Sequence, residues 1–370
     1  MGRYQRAETV GIFTALGTIL VVACATTVFT QRASAIWLIS ARRIIVTSCF
    51  IAACAAVVFV IGYTHNDTTH AKRDFFRFLR RSGEIIALAT VYTVSMGLIS
   101  AAVQMFIAQI LGNSFFEYQW AVIACISACV GYLVYVQAAL INSRTIASLL
   151  PIFVISGVTL AGMTSDDPNW WKNNFSQLGD RTTFAANIFN FTVILAGVTM
   201  LIISYFAVSE FTTQYRLFER SGAETLNQEF KIRMVILSVL LTVASLMFMG
   251  IGIFRYTPHP VLHNVFARGL AVPMMLLMIG MPWLVQRFSF IFYFVSDAII
   301  VLIAGAFAYW YLGYTSLTNV EALAAILFMA WFIVFSRQIA ALESDRLATL
   351  ADMPDNIVRE MGHSRLDQQH

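Results

Sequence analysis

Charged side chains are scarce in this sequence. Asp, Glu, Lys and Arg make up 12% of its 370 residues, whereas a soluble globular protein carries about 25%. Hydrophobic residues reach 59%, and the mean hydropathy is +0.73. These values exclude a soluble enzyme and a disordered chain, and they predict an all-α, polytopic integral membrane helical bundle.

Several chemical signatures are also missing. The five cysteines all lie inside apolar stretches, so a disulfide framework is not expected. No G-x-x-x-x-G-K-[ST] motif occurs, which excludes a nucleotide-driven pump. The histidines do not face each other across paired spans as haem or quinone sites require, so no cofactor is predicted. The basic residues are dispersed, which predicts no nucleic-acid partner.

Apolar runs of roughly 20 residues, long enough to cross a membrane, define the predicted architecture. They lie at residues 8–30, 44–64, 84–111, 120–142, 145–164, 184–208, 234–254, 267–286, 289–312 and 321–340. The sequence therefore predicts about ten transmembrane helices. With the N-terminus inside, 17 of the 24 Lys and Arg residues fall on the inner side and 7 on the outer side. This bias predicts that both termini are cytoplasmic and that the protein lies in the cell (plasma) membrane.

The chain is predicted to divide near Arg144. Residues 1–144 form a four-helix N-terminal transmembrane region, and residues 145–340 form a six-helix transmembrane domain. Residues 341–370 form a cytoplasmic tail, interpreted as a short amphipathic helix that then frays. The basic and aromatic segment 65–83 is interpreted as an anchor in the headgroup plane.

The longest outer connector, residues 164–183, and the helix after it supply the first candidate site residues. Trp170 and Trp171 suit the membrane interface. Asn187 and Asn190 are three residues apart near the outer end of that helix, and an amide at this depth needs a hydrogen-bond partner. Either a polar ligand pocket under the loop or pairing with neighbouring groups would satisfy them.

The second outer connector, residues 254–269, carries His259 and His263 at a spacing that can hold a metal on a helix. Pro260 fits only the first turn of a helix, so His259 is predicted at the helix start and His263 within the helix. A third ligand would have to be a carboxylate, and the candidates are Asp166, Asp167, Asp180, Glu117 and Glu321. A histidine hydrogen-bonded at the interface is the preferred interpretation, and no metal is predicted.

Asp297 is a carboxylate within an apolar span. Such a group costs several kcal/mol unless it is neutralised, paired or hydrated, which makes it a candidate for ligand binding or proton relay. Either protonation or a partner such as Gln104, Gln109 or Gln137 on another helix would stabilise it.

The second half of the chain resembles a bacterial domain-of-unknown-function family, DUF-998. The matching segments are Trp170-Trp171, Phe175 to Gly179, Asn187 to Asn190, Leu195-Ala196-Gly197, Leu262-His263-Asn264, Leu317-Thr318, Glu321 and Trp331. The resemblance covers about residues 145–340 and implies a six-span domain. It also implies a distant similarity to FRAG–DRAM–SFK-like membrane proteins, some of which act in lipid remodelling or distribution. It assigns no reaction.

Three functions are compatible with these observations. The first is binding, or helping to modify or distribute, an envelope lipid at the outer leaflet, with Ser176, Asn187, Asn190, His263 and the deeper Asp297 as candidate ligand-binding residues. The second is a proton-coupled secondary transporter of a small solute, and the third is a scaffold or sensor without chemistry. Membrane lipids are the expected partners, and no nucleotide is. A homo-oligomer and a separate membrane partner both stay open.

The sequence does not establish an enzyme and favours a non-enzymatic role. A hydrolase would need a nucleophile with a base within reach. Ser176 and His263 are the residue types required, but nothing in the sequence sets the distance between them.

Overall fold

The structure is a computed structural model that describes residues 2–38, 40–65, 75–141, 143–172, 174–220 and 228–351. Within these ranges it is helical and contains no β-strand, as predicted. The α-helices are Arg3–Arg32 (α1), Ser40–His65 (α2), Phe75–Leu111 (α3), Phe115–Ala139 (α4), Ser143–Met163 (α5), Ser176–Asp180 (α6), Phe184–Arg220 (α7), Gln228–Ile253 (α8), Pro260–Gly269 (α9), Ala271–Leu284 (α10), Phe290–Tyr311 (α11) and Leu317–Ala351 (α12). Short 3₁₀ turns lie at Ala35–Leu38, Gly112–Ser114 and Trp170–Lys172.

Eight segments of the described chain are long and apolar enough to cross a membrane. They are Tyr4–Arg32, Ala41–His65, Ile85–Ala139, Phe184–Ser209, Gln228–Ile253, Pro260–Leu284, Phe290–Tyr311 and Leu317–Ile339. A shorter apolar helix covers Ala147–Met163. The architecture is thus that of a multi-pass, membrane-embedded helical protein.

The chain forms two compact units. The first unit comprises Met1–Pro168 and Arg181–Leu195, and the second comprises Asn169–Asp180 and Ala196–His370. This division differs from the predicted one at Arg144, because α5 packs on α3 and therefore belongs with the first four helices. The loop 169–180 belongs to the second unit.

Helices of the first unit pair through hydroxyl and backbone contacts. On α1, the Thr14 hydroxyl donates to the Gly131 carbonyl oxygen at 3.0 Å, and the Thr18 hydroxyl donates to the Ser127 carbonyl oxygen at 2.8 Å. The residue numbers rise on α1 as they fall on α4, so these helices are antiparallel. Gly131 lacks a side chain where α1 passes, and a Cβ there would lie 2.8 Å from the Thr14 carbonyl oxygen. Small residues allow this close approach.

The 55-residue segment Ile85–Ala139 contains both α3 and α4, and their contacts with α2 show their directions. The Thr47 hydroxyl of α2 donates to the Gln104 side-chain oxygen at 3.0 Å, and Phe59 contacts Tyr92 with ring centroids 4.7 Å apart, so α2 and α3 are antiparallel. The Arg43 guanidinium lies 5.4 Å from the centre of the Phe116 ring, where α2 and α4 both begin.

The other ends of α2 and α4 also meet. A Cβ at Gly62 would lie 2.9 Å from the Tyr135 carbonyl oxygen. Because α2 is parallel to α4 and antiparallel to α3, the chain reverses at Gly112–Ser114. Gly112 has a φ of +57°, a conformation that glycine adopts at little cost.

Aromatic rings dominate the core between α11 and α12 of the second unit. Trp331 stacks on Phe335 with centroids 5.4 Å apart and lies 5.8 Å from the Phe292 ring. The Trp331 indole Nε1–H donates to the Ser296 hydroxyl oxygen at 2.8 Å, and this hydroxyl donates to the Phe292 carbonyl oxygen at 2.8 Å. The indole polar group is therefore satisfied inside an apolar core.

Two predicted segments are only partly described. Residues 66–74 of the proposed interfacial anchor lie outside the described residues, and from residue 75 the chain continues as part of α3. In the predicted cytoplasmic tail, α12 continues to Ala351, and residues 352–370 lie outside the described ranges.

Candidate functional site

The structure places Ser176 and His263 in direct contact. The Ser176 hydroxyl oxygen lies 2.7 Å from the His263 Nε2 atom, although 87 positions separate the two residues in the chain. His263 is buried, with 4% of its surface exposed, and Ser176 is half-buried at the start of α6. These are the two residues whose separation the sequence did not set.

A backbone carbonyl fixes the roles of the two atoms in this hydrogen bond. The His263 Nδ1 atom lies 2.7 Å from the Phe254 carbonyl oxygen. A carbonyl oxygen can only accept, so Nδ1 must carry the proton. In the neutral ring Nε2 is then an acceptor, and the Ser176 hydroxyl donates to it. The His263 and Tyr256 rings also pack edge to face, with their centroids 5.8 Å apart.

The local sequence explains how His263 comes to point inward. α9 begins at Pro260, whose ring suits the first helical turn, and His259 is its N-cap residue. This confirms the predicted helix start. Val261 and Val265 on the same helix are exposed, at 74% and 52%. α9 therefore presents apolar side chains outward and the imidazole inward.

Two further side chains anchor the loop that carries Ser176. The Phe175 backbone N–H donates to the Glu321 carboxylate of α12 at 2.7 Å. At the other end, the Asp180 carboxylate accepts from the Thr257 backbone N–H at 2.5 Å and from the Thr257 hydroxyl. The loop is thus tied on both sides of Ser176, which holds this hydroxyl in place over His263.

Asn187 and Asn190 lie on α7, in the part that belongs to the first unit. Asn187 is exposed, whereas Asn190 is buried with 8% of its surface exposed and has an interaction partner.

Asp297 lies on α11 of the second unit with an exposed side chain. Among the described residues it forms no hydrogen bond or ion pair. Gln104, one of its proposed partners, is buried in the first unit, where its amide donates to the Ser48 hydroxyl oxygen at 2.9 Å and accepts from Thr47. Asp297 thus points away from the core of its own unit.

A metal at His263 would have to displace an existing hydrogen bond, because both ring nitrogens are engaged. His259 is exposed, and its ring meets Phe254 edge-on. In the described part of the chain, no three His, Cys, Asp or Glu side chains are grouped so as to hold a metal ion.

An open groove of about 890 Å³ lies along α1 and α2 in the first unit. Its walls are mainly apolar and include Val28, Phe29, Val46 and Phe50. Arg32, at the end of α1, contributes a cationic group to the lining. The groove combines an apolar floor with a positive charge at one end.

Three contributors to the site were not identified as functional from the sequence. The Phe254 carbonyl became available because α8 ends at Ile253, and a helix end is a signal that sequence can give. The sequence suggests Glu321 and Asp180 only as candidate third metal ligands, and it carries no signal for the Asp180–Thr257 contact.

Comparison with protein-family models, curated proteins and solved structures gives no match to this chain. The resemblance to the DUF-998 family therefore stays a prediction, carried by the short motifs of residues 145–340.

Proposed function

We propose that this protein crosses the cell membrane ten times with both termini in the cytoplasm, and that it binds a membrane lipid at the outer leaflet or helps to modify or distribute it. The count of ten is supported by the antiparallel arrangement of α3 and α4 and by the apolar helix Ala147–Met163. The orientation is supported by the excess of Lys and Arg on the inner side.

One observation carries the proposed lipid function. The Ser176–His263 pair lies on the inward side of α9, and Leu262, the residue before His263, is an exposed apolar side chain. Val261 and Val265 are also exposed, on the side of the helix that faces away from His263. In a membrane, an acyl chain can lie against Leu262, and the half-buried Ser176 hydroxyl can bind the ester or headgroup region of the same molecule. The groove beside Arg32 is consistent with this function, because its apolar walls suit an acyl chain and its guanidinium suits a phosphate.

The test compares lipid extracts from cells that lack the gene with extracts from their parent. Complementation uses the wild type, His263→Gln and His259→Gln. The two variants make the same change four residues apart, but only His263 contacts Ser176. We expect one lipid class to accumulate or disappear in the deletion, and the wild type and His259→Gln to restore it.

His263→Gln, produced at the same level, should not restore the lipid. Identical lipid profiles in the deletion and its parent would contradict the lipid function. Rescue by His263→Gln would move the lipid site away from this pair.

A further inference from the structure

We propose that Ser176 is a nucleophile activated by His263, and that the pair transfers the acyl group of a lipid carboxylic ester. This inference rests on the proposed lipid function and specifies the chemistry of its site. The required contact is present, because the nucleophile and base lie within hydrogen-bond reach at 2.7 Å.

The direction of the hydrogen bond is the one that general-base catalysis needs. The Phe254 carbonyl oxygen holds the proton on Nδ1 at 2.7 Å, which leaves the Nε2 lone pair directed to the Ser176 hydroxyl. In a Ser-His-Asp triad a carboxylate orients the imidazole, and here a backbone carbonyl takes that position. Burial of His263 keeps the ring in this single orientation.

The position of the nucleophile is fixed independently of the histidine. Phe175 is bonded to Glu321 and Asp180 is bonded to Thr257, so both flanks of Ser176 are held when the hydroxyl loses its proton. A serine needed only to tie the loop down would be redundant beside these two anchors.

The reaction balances with water or a second lipid hydroxyl as the acyl acceptor. The Ser176 oxygen attacks the ester carbonyl carbon while its proton moves to His263 Nε2. The bond between the carbonyl carbon and the leaving oxygen then breaks, and the imidazolium returns the proton to the released alcohol. Water or an alcohol next attacks the acyl-serine and gives its proton to Nε2, and the proton returns to Ser176 as the acid or new ester leaves.

The surroundings indicate an ester with a long alkyl chain. Leu262, the residue before His263 on α9, is an exposed apolar side chain. A water-soluble ester would gain nothing from this side chain, whereas an acyl chain buries apolar area against it.

The direct test is covalent labelling of the full-length protein in detergent micelles with a decyl fluorophosphonate, followed by mass spectrometry of the labelled peptide. We expect wild type to be labelled on Ser176 and to release nitrophenolate from p-nitrophenyl decanoate. Ser176→Ala should lose both signals. His263→Gln should slow both by at least about 100-fold, the lower range of general-base catalysis.

His259→Gln is the matched control for His263→Gln. It makes the same change four residues away on an exposed ring that meets Phe254, and it leaves Ser176 and His263 intact. We expect it to be labelled within about 3-fold of the wild-type rate. Equal slowing in the two histidine variants would contradict His263 as the base that activates Ser176.

The result that overturns the inference does not depend on any variant folding. Folded wild type that stays unlabelled at Ser176 and does not hydrolyse the decanoate ester is not a Ser–His acyltransferase or hydrolase. Native mass spectrometry of lipid co-purified with the same wild-type sample then separates the lipid function from the acyl-transfer chemistry. Bound lipid without labelling retains the lipid function and removes the chemistry, whereas loss of both removes the lipid function as well.

Discussion

The two compact units use polar side chains differently. In the first unit, threonine, serine and glutamine side chains bond to neighbouring helices within the apolar segments, as at Thr14, Thr18 and Gln104. In the second unit, Trp331 also bonds to Ser296 between two such segments, within a core of aromatic rings. The contacts to the loop that carries Ser176 instead involve residues at helix ends and connectors, as at Glu321 and Thr257.

This difference helps to separate polar residues that hold helices together from polar residues available for chemistry. A hydroxyl that bonds a facing backbone inside a span satisfies itself and joins two helices. The Ser176–His263 bond instead lies in a loop that has two other anchors.

Trp331→Ala should have the largest effect and tests the aromatic core of the second unit. It empties space among Phe292, Phe335 and neighbouring rings and leaves the Ser296 hydroxyl without its donor. We expect the free energy of unfolding to fall by about 4 kcal/mol, measured by denaturant titration in micelles. The control is Tyr311→Ala, an aromatic residue of α11 that is 80% exposed. Equal losses for the two variants would contradict an aromatic core.

Gly131→Val tests the close helix contact of the first unit. The added side chain would meet the Thr18 hydroxyl and the Thr14 carbonyl oxygen, and would force α1 and α4 apart. We expect a loss of about 3 kcal/mol in the same titration. Gly17→Val is the matched control on α1, because a Cβ there has nothing within 4 Å. The close-packing interpretation is wrong if Gly131→Val is as stable as its control.

Gln104→Leu tests the buried amide between α2 and α3. The change retains much of the side-chain volume but removes the partner of both Thr47 and Ser48. We expect a loss of about 1 kcal/mol, a usual value for hydrogen bonds between membrane helices. Gln109→Leu, at an exposed position of the same helix, should change stability little. An equal effect at both positions would mean that the amide contributes no specific helix contact.

Thr257→Val should have the smallest effect on global stability, about 0.5 kcal/mol, because the Thr257 backbone N–H still reaches Asp180. Its effect should be local. We expect faster hydrogen exchange in residues 174–180 and unchanged exchange in α1 to α4. Thr182→Val, at an exposed position shortly after the loop, is the control and should leave both regions unchanged. Unchanged exchange at 174–180 in Thr257→Val would remove Asp180–Thr257 as an anchor.

The sequence predicted the helical class and most helix positions because apolar runs of membrane length are a direct signal. It also located the start of α9, since Pro260 restricts where a helix can begin. It could not establish that Ser176 reaches His263, because the contact depends on the path of the connectors between α5 and α9. The same limit applies to Gln104 and its partners on α2.

The orientation of Asp297 was also beyond the sequence, for a different physical reason. A soluble helix shows its buried side through an apolar stripe, but α11 is apolar on every side. Its composition therefore gives no indication of which residues face the other helices. Only the packing of Phe292 and Ser296 towards Trp331 shows that Asp297 points outward.

The reversal at Gly112–Ser114 has a consequence for synthesis. A connection of three residues keeps the facing ends of α3 and α4 together. If each helix crosses the membrane, as proposed above, the two have to insert as one hairpin. Insertion of the pair is then complete only after α4 has left the ribosome. The positive φ of Gly112 makes that residue the point at which the hairpin closes.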